Sequence, residues 1–170
     1  MCSHTRIRDL SWPEPAGAAL EHSARVVRYI RELISSAGGV LPFDDYMEAA
    51  LYAPGLGYYA AGARKFGEDG DFVTAPEMGD LFGRCLAREA EQILTAIPNA
   101  AVLEFGAGSG ALARTLITSL GERGQLPSQY NIVEVSPDLR QRQHERLAPL
   151  CQQYGVTLRW LEALPQSPFN

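Results

Sequence analysis

Apolar residues recur at helical spacing through Val26, Val27, Ile30, Leu33 and Ile34, which predicts an amphipathic helix from Glu21 until Gly38-Gly39 stop it. Pro42 opens a second, shorter helix, with Phe43, Tyr46, Met47, Ala50 and Leu51 expected on its packing face. The periodicity then disappears. Pro54, Gly55, Gly57, Gly62, Gly67, Gly70 and Pro76 punctuate a long loop over residues 53–76. The interleaved Tyr58, Tyr59, Phe66 and Phe72 argue that this loop is ordered, and ordered loops of such length are usually functional. Helical spacing returns from Glu77 to Ala96, with Leu81, Cys85, Leu86, Ile93, Leu94 and Ile97 expected on the core side and Pro98-Asn99 as the stop.

From Ala100 short apolar runs alternate with helical patterns. Strands are predicted at 101–105, 130–135 and 156–160, and helices at about 109–121 and 137–151. That alternation means βαβ units and a parallel α/β sheet. Three such strands fit before Asn170, whereas a nucleotide-binding doubly wound sheet carries about six. The chain therefore reads as a flexible arm (1–20), a helical and loop extension (21–99) and the first half of a Rossmann-like domain (100–170), a fragment of a longer enzyme. A half-sheet exposes an edge and an apolar face, which leaves the fragment open to homodimerisation or swapping.

Composition narrows the function classes. Hydrophobic residues make up 46% and charged residues 21%, a globular balance. The net charge of -5 argues against general nucleic-acid binding, and no stretch approaches the ~20 apolar residues of a membrane span. Lys65 is the only lysine, a compositional habit of a GC-rich genome. Cys2, Cys85 and Cys151 are far apart and form no CxxC pair, so neither a metal site nor a disulfide framework is expected. Met1 to Ser23 lacks the apolar run of a signal peptide, and a bacterial cytoplasmic protein is expected. Cys85, within a helical pattern, is expected as a small core residue, and His144 lies on a charged helix face with Arg140, Arg142, Glu145 and Arg146.

The chemistry concentrates after the first predicted strand. Gly106-Ala107-Gly108-Ser109-Gly110 follows Ala101-Val102-Leu103-Glu104-Phe105, and a helix begins directly after it. Glycines at a strand-to-helix junction let the backbone turn sharply and approach a ligand closely. Two cofactors compete for this loop. Gly106-x-Gly108-x-x-Ala111 fits a dinucleotide fingerprint, while Glu104-x-Gly106-x-Gly108-x-Gly110 fits an S-adenosylmethionine site. A carboxylate just ahead of the loop suits the ammonium and sulfonium of the methyl donor better than a pyrophosphate. Glu134 stands 24 positions after Gly110, close to the spacing of about 20 for the acid that accepts hydrogen bonds from a ribose diol. Both cofactors carry that ribose. The bland alternative makes Glu134 a neighbour of a helix start at Ser136-Pro137. The acidic run Gly67-Glu68-Asp69-Gly70-Asp71-Phe72 reads as a solvated turn on its own, and Tyr58-Tyr59 reads as packing.

Ordered blocks then carry a resemblance. They are Phe43-Asp44-Asp45-Tyr46-Met47, Leu51-Tyr52-Ala53-Pro54, Gly57-Tyr58-Tyr59, Gly70-Asp71-Phe72-Val73-Thr74-Ala75-Pro76-Glu77, Phe82-Gly83, the glycine loop with Leu112, and Val133-Glu134-Val135-Ser136-Pro137-Asp138-Leu139-Arg140-Gln141-Arg142-Gln143. In that order they resemble the MidA-like methyltransferases, the family of the mitochondrial complex I assembly protein arginine methyltransferase. The resemblance implies a class I methyltransferase sheet with an N-terminal extension folded over the cofactor site. It implies S-adenosyl-L-methionine as cofactor and an arginine of a partner protein as methyl acceptor. It reverses the turn reading of the acidic run. Asp71, Phe72 and Thr74 then join Glu104, Gly106, Ala107, Gly108, Gly110 and Glu134 around the methyl donor. Guanidinium is protonated at neutral pH, so its methylation needs a carboxylate to orient it and take the proton, and Glu68, Asp69 and Asp71 are the nearby candidates. Family members continue past Asn170, so the substrate pocket is expected beyond it. A nicotinamide-dependent oxidoreductase and a non-catalytic assembly factor on the same fold are the rival readings.

Overall fold

A computed structural model describes residues 15–61 and 73–165. They fall into two compact units divided between Met47 and Glu48. The expected site residues Asp71 and Phe72, with Glu68 and Asp69, lie outside the described residues.

The first unit holds α1 (Gly17–Ser36), which begins four residues before Glu21, and the start of α2 (Phe43–Tyr52). The predicted stripe of α1 is half-buried at Val26, Ile30, Leu33 and Ile34 and exposed at Val27. The packing face expected of α2 is half-buried at Met47, Ala50 and Leu51 and is corrected at Phe43 and Tyr46, which are exposed. Phe43 is 74% exposed and stacks on the ring of Tyr46 in the helix's first turn, while the side chain α2 buries is the small Ala49.

In the second unit the single helix expected over 77–96 is two, α3 (Ala75–Met78) and α4 (Leu81–Ala96). Gly79 separates them at φ 151°, a backbone value that side chains oppose. The core side expected for α4 is also wrong, Leu94 excepted. Gly83 and Ala87 are buried and Leu94 packs on the core, whereas Leu81, Leu86, Ile93 and Ile97 are exposed, as is Cys85. Close approach explains the choice. A Cβ on Gly83 would lie 2.7 Å from Cγ2 of Thr115, so only a seam of small residues lets α4 reach its neighbour α5 (Ala111–Glu122).

The α/β half matches its pattern closely. Strands β1 (Ala101–Phe105), β2 (Gln129–Val133) and β3 (Thr157–Leu161) form a parallel sheet in the order β1-β2-β3. Ala101 pairs with Gln129 and Gln129 with Thr157, so the three C-terminal ends are level. Helix α5 connects the first pair, and α6 (Pro137–Tyr154) connects the second. The oxygen of Ser136 accepts from the Leu139 amide to cap α6, Pro137 fits the first helical position, and Gly155 ends it at φ 71°. Tyr130, Ile132, Val102, Leu158 and Trp160 alternate onto one face, where they meet Ile117, Leu120, Leu147 and Ala87. The other face shows Phe105, 60% exposed, at the end of β1. This is a Rossmann-like arrangement of parallel strands and crossover helices, with further helices preceding the sheet, as the resemblance implies.

Candidate functional site

The crossover from β1 to α5 turns on the three glycines. Gly106, Gly108 and Gly110 take φ of 58°, 56° and 78°, the left-handed region that costs other residues roughly 1–2 kcal/mol each. A Cβ on Gly106 would meet nothing within 4 Å, so open space lies against that residue. Gly110 caps α5 with Leu147 against it, 3.4 Å from a built Cβ, and lines neither cavity described below.

Two cavities meet at this loop, sharing Gly106 and Gly108. One, of about 280 Å³, is lined by Thr74, Glu77, Glu104, Phe105, Ala107 and Ser109 among others. The other, of about 210 Å³, is lined by Tyr52, Tyr59, Glu134 and Leu139. Of the sequence-predicted residues, Glu104, Gly106, Ala107, Gly108 and Thr74 thus gather on one side and Glu134 on the other.

The two acids are held differently. Glu104 Oε2 accepts a 2.7 Å hydrogen bond from the Tyr130 hydroxyl. Burial raises the Glu104 pKa above the ordinary carboxylate value, with the Tyr130 bond opposing the rise. The tyrosine is raised in turn, by burial first and by the Glu104 charge second. Glu134 is buried, its Oε1 accepting from the Ser136 amide at 2.9 Å and its Oε2 from Gln143 Nε2 at 3.3 Å. The bland reading of Glu134 holds in that its carboxylate braces the start of α6. Each of its oxygens keeps a lone pair for a ligand hydroxyl. Tyr52 stacks on Tyr59 at 5.6 Å, and its hydroxyl pKa is raised by burial and then by the Glu134 charge.

Several lining residues carry no motif signal. Glu77 accepts a hydrogen bond from the Ser109 hydroxyl, which also accepts from Arg146 Nη1 at 2.8 Å. Asp80 takes Arg114 Nη2 at 2.6 Å and Thr115 Oγ1 at 3.0 Å, so α3 and its following turn are tied to the glycine loop and α5. Ser136 Oγ donates to the Tyr59 carbonyl at 2.7 Å, which fastens the tyrosine turn to the end of β2. Glu77 lay within a block quoted above, but nothing in its spacing assigned it to the loop.

This donor and acceptor set fits S-adenosylmethionine. The Glu134 carboxylate stands on one side of an open glycine turn, where a ribose diol would need an acceptor, and the Glu104 carboxylate stands on the other, where an ammonium would need a counter-charge. Among the described residues no helix is long and apolar enough to cross a membrane, and no cluster of His, Cys, Asp and Glu could hold a metal ion.

Comparisons with known proteins point to the same cofactor. Over 92% of the chain, the fold superimposes on 41% of a Burkholderia thailandensis protein crystallised with S-adenosyl-homocysteine, at a TM-score of 0.77 and 46% identity. A second crystal structure from Burkholderia thailandensis, of an uncharacterised protein of the same superfamily, gives a TM-score of 0.72 at 44% identity, covering 92% of this chain and 39% of that one. The chain is 33% identical over 79% of its length to the mitochondrial protein arginine methyltransferase NDUFAF7 homologue of Drosophila melanogaster, covering 31% of it. It is 28% identical over 82% of its length to the Danio rerio protein arginine methyltransferase NDUFAF7, covering 34%. The chain thus spans about a third of the length of the curated relatives it matches. These findings set the dinucleotide alternative aside. A family model for S-adenosyl-L-methionine-dependent methyltransferases matches residues 83–170, and the chain belongs to that family, the MidA-like methyltransferases.

Proposed function

We propose that this chain is the donor-binding part of a methyltransferase that acts on an arginine of a partner protein. The observation that carries the reading is the pair of cavities joined at Gly106 and Gly108, with Glu104 in one and Glu134 in the other. Glu134 would hold the ribose diol between Tyr52 and Leu139, and Glu104 would face the methionine ammonium. Bound there, the sulfonium supplies an electrophilic methyl group.

The chain's own residues supply binding and charge. Left-handed glycines leave the loop backbone open to close approach. Glu77 and Glu104 make one cavity acidic, which attracts a cationic acceptor and disfavours an anionic one. A guanidinium, with pKa above about 12, needs a carboxylate to orient its nitrogen and receive its proton. Asp71, Phe72 and Thr74 belong to this reading as walls of the donor site, and the extension over 21–99 as its cover. The arginine acceptor is supported by the names of the mitochondrial relatives. A bacterial cytoplasmic setting belongs to the same reading, its bacterial part supported by the Burkholderia thailandensis neighbours.

The test is transfer from labelled donor to candidate partner proteins, followed by hydrolysis and analysis for methylated amino acids. Methylarginine is the expected product. Label found only in other residues would overturn the arginine assignment while leaving donor binding intact.

A further inference from the structure

Gln143 has no exposed surface, and its amide is satisfied on both ends. Trp160 Nε1, which can only donate, lies 2.8 Å from one end of the amide and identifies it as the oxygen. The amide nitrogen must then face the other two partners, both acceptors. They are the Gly108 carbonyl at 3.0 Å and Glu134 Oε2 at 3.3 Å. One side chain on α6 therefore joins the glycine loop, the acid at the end of β2 and a tryptophan of β3. From Glu134 the network continues through the Ser136 amide and hydroxyl to the Tyr59 carbonyl, reaching the opposite wall of the same cavity.

We propose that Gln143 is a positioning residue for nucleoside binding, holding the Glu134 carboxylate and the glycine loop as one preorganised surface. This rests on the reading of the cavity as a methyl-donor site. A buried carboxylate with a single donor could rotate, and the Gly108 carbonyl would lose its side-chain donor. Ligand binding would then have to supply the ordering. A glutamine that merely fills the core would affect stability alone.

The experiment compares the native chain with Gln143→Met and Trp160→Phe. Backbone amide exchange is measured without ligand, and binding of S-adenosyl-homocysteine and its 2′-deoxy analogue is measured by calorimetry. In Gln143→Met, exchange at the Ser136 and Gly110 amides should rise about tenfold relative to the β2 core amides. The native chain should prefer the ribose ligand over its 2′-deoxy analogue by about tenfold, and the variant should lose most of that preference. Trp160→Phe removes the donor that orients the amide and should show the same pattern at smaller size; it decides the question if Gln143→Met does not fold. Native exchange at both amides, or an undiminished ribose preference, overturns the proposal. If the native chain binds neither ligand the donor reading fails, and the exchange data still decide whether Gln143 positions the loop.

Discussion

The Tyr130 hydroxyl donates to Glu104 Oε2 at 2.7 Å across adjacent parallel strands, Tyr130 lying opposite Val102, two residues before the acid. The bond satisfies a carboxylate that burial otherwise disfavours, and it fixes that carboxylate at the mouth of the glycine loop. Tyr130→Phe should therefore cost about 1–3 kcal/mol, with a larger loss at pH 8 than at pH 5, because the ionised acid suffers most from losing its donor. Urea unfolding at the two pH values checks this.

Glu104→Gln tests the same acid from the other side. Its folded pKa is raised above the unfolded value near 4.5, so the stability tied to the protonated form is complete below that value. It is lost as pH rises through the higher folded pKa. The glutamine variant has no such loss. Its stability relative to the native chain should grow as pH climbs above about 4.5. Melting curves across that range read the trend, and affinity for S-adenosyl-homocysteine should fall in the same variant.

The seam between α4 and α5 predicts a strong effect from a small change. Gly83→Ala places a methyl 2.7 Å from Thr115 Cγ2 and 2.8 Å from Thr115 Cβ. Destabilisation of about 1–3 kcal/mol is expected, against near neutrality for Cys85→Ala on the exposed side. Chemical denaturation of both variants measures the contrast.

Asp80 bridges Arg114 and Thr115, yet the Arg114 and Asp80 side chains are about half exposed. Asp80→Ala should cost no more than about 1 kcal/mol, and the part due to Arg114 should shrink in high salt. Unfolding at low and high ionic strength separates the two contributions.

The α/β half was legible because its signals are local. An apolar run meeting alternate glycines defines β1 and its turn, and Ser136-Pro137 marks the start of α6. Helix α4 was misread because large apolar residues were assumed to face the core. Close helix packing instead selected Gly83 and Ala87, and left Leu81 77% exposed. At the site, Glu104 and Glu134 stood out by their distance from the glycines. Tyr52, Glu77 and Gln143 did not, because their roles depend on contacts between distant positions, 32 residues apart at Glu77 and Ser109 and 35 apart where Gln143 donates to the Gly108 carbonyl. No spacing rule covers such pairs.

On the proposed function, the glycine loop and Glu134 bind the methyl donor's nucleoside. Calorimetric titration of the chain and of Glu134→Gln with S-adenosyl-homocysteine tests it most directly. Saturable one-site binding to the native chain is expected, weakened about tenfold in the variant by loss of the charged acceptor. No saturable binding to the native chain, or equal affinity in the two proteins, would contradict it.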